Sequence, residues 1–447
     1  MKNQFTLMNE RRFRPFFFTQ FLGAFNDNVF KTALITLVAF HAVSLTSIDG
    51  GTLATMLPGL FILPFFLFSA TAGQLADKFE KSQMIRYVKV FEIGIMLFAS
   101  AGFFLHHIWL LATALFMMGM HSTIFGPIKY SYLPQHLKKK ELIGGNGMIE
   151  MGTFVAILLG QVLGAWAAMQ SQHEVITSLV ILLIAVLGYA TSRGVPHSPA
   201  AAPSLKINWN PVTETYRSIQ FIWRHQPIWL AIIAISWFWF YGATLLAQFP
   251  NFAKEVLYGD ESVFILLLSI FSLGIGIGSL MCEKLSKGKV ELGLVLFGAI
   301  GLTLFGVDLY CSSTSIHASL NNKAFFDFLS FIAKHYDAQG QLIFTYWRLL
   351  ADIALIGFFG GLFIVPLYAL IQTRSELSHQ SRVIAANNII NALFMVVSAG
   401  FSILIFDQKF SIPELFLATA LLNVLVMIYL CFRQPEYFTS FVAWIKG

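Results

Sequence analysis

Twelve separate stretches of about 20 or more mainly apolar residues run through this 447-residue chain, and they constrain its fold more than any other feature. Crossing the ~30 Å hydrocarbon core of a bilayer at 1.5 Å per residue takes about 20 residues of helix. The stretches cover residues 13–44, 52–76, 83–105, 108–134, 144–170, 174–194, 227–256, 262–285, 289–311, 346–373, 382–406 and 412–433. Within hydrocarbon, backbone N–H and C=O groups must pair inside the segment, so each stretch is expected to be a helix. Only 12% of the residues are charged, against about 25% in a soluble domain. That is too few to cover a water-facing surface. The expected fold class is an all-α membrane protein with twelve transmembrane helices.

The same reading excludes several function classes. The net charge of +6 comes from basic residues in the loops between spans, where membrane topology explains them, so no nucleic-acid partner is implied. Cys282, Cys311 and Cys431 stand alone in or beside apolar runs and show neither metal-ligand spacing nor a disulfide framework. No metal and no cofactor is expected. The N-terminus is basic and then apolar, but the apolar part continues to about Val43 without a small-residue cleavage site, which predicts a retained first helix.

Lysine and arginine set the expected orientation. They fill the N-terminus (Lys2, Arg11, Arg12, Arg14) and the turn after span two (Lys78, Lys81). They recur in "LKKKE" after span four and in the central linker (Arg193, Lys206, Arg217, Arg224). They recur again at Lys284, Lys287, Lys289, Arg374, Arg382 and Arg433. The alternate loops hold Lys323, Lys334 and Lys409. The positive-inside rule then puts both termini in the cytoplasm. On the opposite side, "NNKAFFDFLSFIAKHYD" spaces Phe325, Phe326, Leu329, Ile332 and Ala333 as on one helix face, which fits either a short amphipathic helix on the outer membrane surface or a loop packed on the helix ends.

The chain also repeats itself. Gly73, Asp77, Lys78 and Lys81 after span two are echoed by Ser279, Glu283, Lys284 and Lys287 after span eight. "IGGNGMIEMGTF" opens span five and "IAANNIINALFM" opens span eleven, which aligns Asn146 with Asn387 and Glu150 with Asn391. Spans four and ten share Pro127 and Pro366. These matches predict two pseudo-symmetric six-helix halves, residues 1–195 and 227–447, joined by a linker over 196–226, with an external insertion at about 312–345. Parallel repeats of this kind organise the major facilitator fold. The acid-base turns suggest a gate. Gly73 would allow close helix contact, Asp77 would sit at the positive end of a neighbouring helix, and Lys78 and Lys81 would face the cytoplasm.

Asn26, Asp27, Asn28 and Lys31 lie at the centre of span one, where an unpaired charge costs about 2.5–3.5 kcal/mol. Asp27 and Lys31 are i, i+4 with the acid first, the favourable order for a pair. Lys129 in span four, Glu150 in span five, Arg348 with Asp352 opening span ten, and Asn387, Asn388 and Asn391 in span eleven are further deep polar residues. Span seven contributes "SWFWFYGATLLAQFPN", of which a helix can turn two aromatics to one side, Trp237 among the candidates. Acid, base and amide groups beside aromatics suit a zwitterionic or anionic head with an apolar tail.

At these residues the sequence resembles a known family. "FLGAFNDNVFKTAL", "GQLADKFEKSQMIRYVKVFEIG", "FGPIKYSYLPQHL", "GGNGMIEMGTFVAILLGQVLGAW", "WRLLADIALIGFFGGLFIVPLYALIQ" and "RVIAANNIINALFMV" are similar to the lysophospholipid transporter branch of the major facilitator superfamily. They are also similar to the transporter portion of proteins in which it is fused to an acyltransferase. The resemblance implies a flippase that moves lysophosphatidylethanolamine and lysophosphatidylglycerol inward across a bacterial inner membrane by alternating access. It makes Asp27, Asn28, Lys129, Glu150, Arg348 and Asp352 head-group or gating candidates. Asn146, Trp237, Asn387 and Asn391 join the expected substrate contacts; Lys31, Gly73, Asp77, Lys78, Lys81, Glu283 and Lys284 form the expected gate. None of the eleven His is followed five positions on by Asp, so the acyltransferase signature is absent and the chain is not expected to be an enzyme. Acylation would fall to a separate acyltransferase. The expected partners are lysophospholipid and membrane lipids, and the chain is expected to be a monomer. Two other readings compete: a proton-coupled exporter of an amphipathic drug or siderophore, and a membrane anchor for an acyltransferase.

Overall fold

The computed structural model describes residues 4–45, 50–319, 326–333 and 345–446. Among the described residues, fifteen α-helices follow in order: α1 (Arg14–Leu45), α2 (Gly50–Lys78), α3 (Lys81–Phe104), α4 (Ile108–His136), α5 (Leu142–Ala168), α6 (His173–Ser192), α7 (Pro211–Arg224) and α8 (Gln226–Asn251). Then come α9 (Glu261–Leu285), α10 (Gly293–Ser319), α11 (Phe328–Ile332), α12 (Thr345–Arg374), α13 (Gln380–Asp407), α14 (Ile412–Arg433) and α15 (Glu436–Lys446). Twelve of them have at least 20 residues, leaving out only α7, α11 and α15. Eleven of the twelve are apolar enough over their described residues to cross a membrane. The other, α1, is 32 residues long and carries Arg14, Asp27 and Lys31.

Helix ends follow local chemistry. Glu80, Asn210 and Asp260 accept backbone N–H bonds at the starts of α3, α7 and α9. Ser411 and Glu414 close a reciprocal capping box at α14. Internal Pro residues stay inside α2, α4, α8 and α12, which spans tolerate where neighbouring groups satisfy the freed carbonyls.

The chain forms two compact units. The first comprises residues 1–145, 155–229 and 371–392, and the second 146–154, 230–370 and 393–447. In the first unit, Phe30, Leu34 and Leu37 of α1 share a core with Ile95 and Phe103 of α3, Leu111, Leu115 and Met118 of α4, and Ile181 of α6. In the second, Asn423 of α14 accepts from Trp237 Nε1 at 2.8 Å and donates to Ala299 O (2.8 Å) and Thr303 Oγ1 (2.9 Å) of α10.

Two expectations change. Span nine does not stop at residue 311; α10 continues to Ser319, and the Ser and Thr hydroxyls of "CSSTS" bond carbonyls three or four residues back, so these polar groups are satisfied within the helix. The outer segment does hold a short helix, but the expected apolar face does not form on it, since Phe326 and Ala333 lie outside the helix. Only Phe328–Ile332 is helical, Leu329 is exposed, and the buried side chain is Phe331, edge-on to Tyr346 at 5.4 Å. The segment is pinned instead to the α8–α9 turn: Phe326 N donates to Tyr258 O at 2.8 Å, and Phe328 N to Ser262 Oγ at 2.7 Å. Phe325, Lys323 and Lys334 lie outside the described residues.

The linker is not a passive spacer. Residues 211–224 fold into α7, and the segment before it is strapped to one end of the first unit. Ser198 N donates to Glu80 Oε1 at 2.6 Å and Ser198 O accepts from Lys81 N at 3.1 Å. Ala202 N donates to Asp77 O at 2.7 Å, while Gln74 and Asn208 exchange side-chain-to-backbone bonds of 2.7 and 3.0 Å. Burial raises the affinity of the Glu80 carboxyl for a proton, but its bonds from Ser198, Ser82 and Gln83 outweigh that and hold its pKa below the ordinary 4.5. A carboxyl with a depressed folded-state pKa stabilises the fold above its ordinary value and loses that contribution as pH falls through the depressed one. Protease cutting within residues 196–206 should therefore stay slow at neutral pH and accelerate below pH ~4, whereas Glu80→Gln should be cut rapidly at every pH.

Candidate functional site

The polar centre of α1 is built into the first unit by two sets of contacts. Glu92, midway along α3, is buried among three partners: Lys89 Nζ at 2.6 Å, Asn26 Nδ2 at 2.8 Å and His121 Nε2 of α4 at 3.2 Å. The Lys89 ammonium fits because Gly23 and Gly188 flank it; a Cβ on either would stand 2.9 or 3.0 Å from Nζ. One residue along α1, Asp27 accepts from Ser122 Oγ at 2.6 Å through Oδ2. Its Oδ1 is buried without a hydrogen-bond partner among the described residues. The expected Asp27–Lys31 pair does not form. Among the described residues no ion pair joins them, and Lys31 Nζ lies instead over the Phe61 ring, 5.3 Å from its centroid. Lys89, Glu92 and His121 are functional candidates that sequence reasoning missed, although Lys89-Val-Phe-Glu92 in mid-span was a visible i, i+3 pair.

The first unit also holds Asn28, Lys129, Asn387 and Asn391. Asn28 is buried, donates to Ala24 O at 2.8 Å, and leaves Oδ1 without a hydrogen-bond partner among the described residues. Lys129 is half-buried, its Nζ 5.0 Å from the Tyr130 ring centroid. Asn387 is fully buried, and both atoms of its amide lack a hydrogen-bond partner among the described residues. Asn391 is buried.

The second unit holds Asn146, Glu150, Trp237, Arg348 and Asp352. Asn146 and Glu150 are buried. Trp237 is not turned to an open face; it sits in the core on Asn423, and of the five consecutive aromatics only Trp239 is half-buried. Arg348 and Asp352 do not pair with each other. Arg348 grips Asp308 of α10 with two nitrogens, Nε at 2.9 Å and Nη2 closer still, and Asp352 accepts from Ser312 Oγ at 2.9 Å. Asp308, a lone acid in an apolar span, is the partner that sequence reasoning passed over. Its bidentate geometry matches the planar guanidinium.

At the strapped end of the first unit, Asp77 is fully buried and caps α13. It accepts from Ser381 N at 3.0 Å and from Arg382 Nε at 3.1 Å. The backbone there is the start of a helix, so the carboxylate meets both unsatisfied N–H groups and the positive end of the helix dipole. Gly73, one turn earlier, makes the approach possible: a Cβ would stand 2.7 Å from Ala385 Cβ and 2.9 Å from Arg382 Cα. Lys78 is half-buried over Phe79, but Lys81 is fully buried rather than turned to solvent. In the echo of this turn, Glu283 is half-buried and Lys284 exposed.

Residues 16–326 match the sequence model of the Major Facilitator Superfamily. The chain belongs to this superfamily. Among curated relatives, it is 26% identical to the lysophospholipid transporter LplT of Klebsiella pneumoniae (strain 342) over 387 residues, 85% of each chain. It is 26% identical to LplT of Serratia proteamaculans over 362 residues, covering 80% of this chain and 79% of the relative. Solved transporter structures share the fold. The human organic anion transporter MFSD10 superposes with a TM-score of 0.71 at 11% identity, covering 93% of this chain and 99% of that one. The Escherichia coli fucose:proton symporter FucP gives 0.65 at 13% identity, covering 94% and 98%. A Major Facilitator Superfamily chain is a multi-pass membrane transporter, which agrees with the twelve long helices.

Two outcomes test this geometry. Removing one member of a buried ion pair costs about 3–5 kcal/mol, because the other charge is left unpaired in a dry interior. Glu92→Leu should therefore lower the melting temperature in detergent strongly, and Lys89→Met combined with Glu92→Leu should recover most of it. Gly73→Val should push α2 from α13 and abolish the Asp77 cap, read as faster trypsin cleavage at Arg382 in otherwise folded protein.

Proposed function

We propose that this chain is a lysophospholipid transporter of a bacterial inner membrane. The observation that carries the reading is Asp27, with one bonded carboxylate oxygen and one without a hydrogen-bond partner among the described residues, beside Lys31 on an aromatic ring one turn away. An unsatisfied buried acceptor is costly, and here a donor from outside the protein would satisfy it. The ammonium of an ethanolamine head or the hydroxyls of a glycerol head are such donors. The half-buried ammonium groups of Lys31 and Lys129 would then face the phosphate. Phe61 and its apolar surroundings suit the single acyl chain. The LplT names of relatives that match over four-fifths of the chain support the same substrate class.

The working cycle would be alternating access between two six-helix halves, residues 1–195 and 227–447, with the basic loops and both termini cytoplasmic. The lysolipid head enters from the outer leaflet while the acyl tail stays near lipid, and the head is released inside. The bonds from Ser381 and Arg382 to Asp77 form the latch that must part for release, with Gly73, Lys78, Lys81, Glu283 and Lys284 around the gate. The chain acts as a monomer, performs no covalent chemistry, and hands its cargo to a separate acyltransferase. Asn146, Glu150, Asn387, Asn391, Arg348 and Asp352 complete the substrate path.

Proteoliposomes carrying a fluorescent lysophosphatidylethanolamine test the reading directly. A charged hydrogen bond is worth about 1.5–3 kcal/mol, so Asp27→Ala and Lys129→Ala should each slow flipping about tenfold or more, with unchanged melting temperatures. Wild-type rates in both variants would remove these residues from the head-group site. Proton-driven outward movement of a drug, with no lysolipid flipping, would favour the exporter.

A further inference from the structure

Helix α7 has three chemically distinct faces, one more than a helix lying on a protein in water requires. Glu214, Ser218 and Ile222 face the protein and are buried. Thr213, Arg217, Gln220 and Arg224 form an exposed polar face. Between them, Val212, Tyr216 and Trp223 form an exposed apolar face, 75%, 67% and 63% accessible, which Trp209 at 70% extends past the helix start. The 3.6-residue period places the apolar and polar sets about 100° apart, so the helix sorts its exposed residues into two environments.

The depth of α7 follows from its anchors. At its start, Asn208 exchanges two bonds with Gln74, one turn before α2 ends at Lys78. At its far end a single residue, His225, separates it from α8, and Trp223 packs on Trp229, in the first turn of that span, with ring centroids 4.8 Å apart. Both ends of α7 therefore lie level with the ends of membrane-spanning helices. Its protein-facing side is incompletely filled: a cavity of about 260 Å³ lies there, lined by Gln74, Arg217, Phe221, His379 and Arg382 among others.

We infer that α7 is an interfacial helix seated in the head-group layer of the leaflet at the basic end of the spans, with anionic phospholipid as its partner. Trp and Tyr are the side chains that favour this depth, having an apolar ring and a polar edge. Lys206, Arg217 and Arg224 have no ion-pair partner among the described residues and stand where lipid phosphates would lie. The helix is wired to the latch: Gln74, which holds Asn208, is one turn from Asp77, and Ala202 N bonds Asp77 O. Leaflet composition would thus act on the α7 strap and, through it, on the capped start of α13. The inference rests on α7 alone and holds whichever substrate the chain carries.

Site-directed spin labelling of the full chain in nanodiscs containing phosphatidylglycerol tests it. Cys311 and Cys431 are first replaced by Ser; Cys282 is buried and left in place. Labels at V212C, Y216C and W223C should collide with dissolved oxygen and be shielded from a water-soluble nickel chelate, while labels at T213C and Q220C should show the reverse. In discs of phosphatidylcholine alone, or with R217Q and R224Q together, the label at 216 should become several-fold more accessible to nickel. Equal nickel access at 212, 216, 213 and 220 would overturn the inference, since the apolar face would then be in water. Shielding of 212 and 216 from both reagents would overturn it too, because a protein surface, not lipid, would cover that face.

Discussion

An ionisable side chain placed in hydrocarbon must find a partner or leave, and this requirement organises most of the structure. Glu92 is the clearest case, with an ammonium, an amide and an imidazole gathered around one carboxylate. Replacing it by an apolar side chain together with Lys89 would make an easier helix bundle, so stability alone does not account for it. Its effect is positional. By holding Asn26, it fixes the rotation of α1 and thereby turns Asp27 toward Ser122 and Lys31 toward Phe61. The buried cluster and the part-exposed Asp27 and Lys31 beside it are thus two layers of one arrangement: the inner layer brings three groups to the Glu92 carboxylate, and the outer one keeps an acceptor, Asp27 Oδ1, without a hydrogen-bond partner among the described residues.

The membrane class, the twelve spans and most of their limits were legible in the sequence, because hydrocarbon allows few backbone solutions and the apolar runs are long. The superfamily was legible too, through motifs such as the turn at Gly73 and Asp77. Pairings were less so. Helical spacing suggested Asp27 with Lys31 and Arg348 with Asp352, and in both cases the acid or base was taken by another helix: Ser122 of α4, Asp308 of α10. Spacing along one helix states which residues share a face. It does not state what the neighbouring helix presents to that face, and a bidentate carboxylate across an interface outcompetes a single turn's reach.

The helix inside the linker was not legible, for a related reason. Its Pro, Ser and Ala content reads as loop, and "PVTETYRSIQFIWR" is too polar to register as a span. Only the sorting of its exposed residues around the helix, visible once the buried face is known, separates α7 from an ordinary surface helix. The Trp run of α8 failed in the opposite direction. Aromatic residues look like a binding surface in a list, yet Trp237 is spent on holding Asn423, and through it α10 and α14.

Asp77 also imposes an order on how the chain is made. Its backbone carbonyl meets Ala202, while its carboxylate meets Ser381, 304 residues further on. At a synthesis rate of 5–20 residues per second, roughly 15 to 60 s separate the insertion of α2 from the arrival of α13. For that interval the carboxylate has no helix start to cap, whereas the linker can already fasten to Gln74 and Glu80. The early strap would hold the end of α2 and the start of α3 in place in the half-finished bundle, and the last helices to insert would dock onto an end that is already shaped for them.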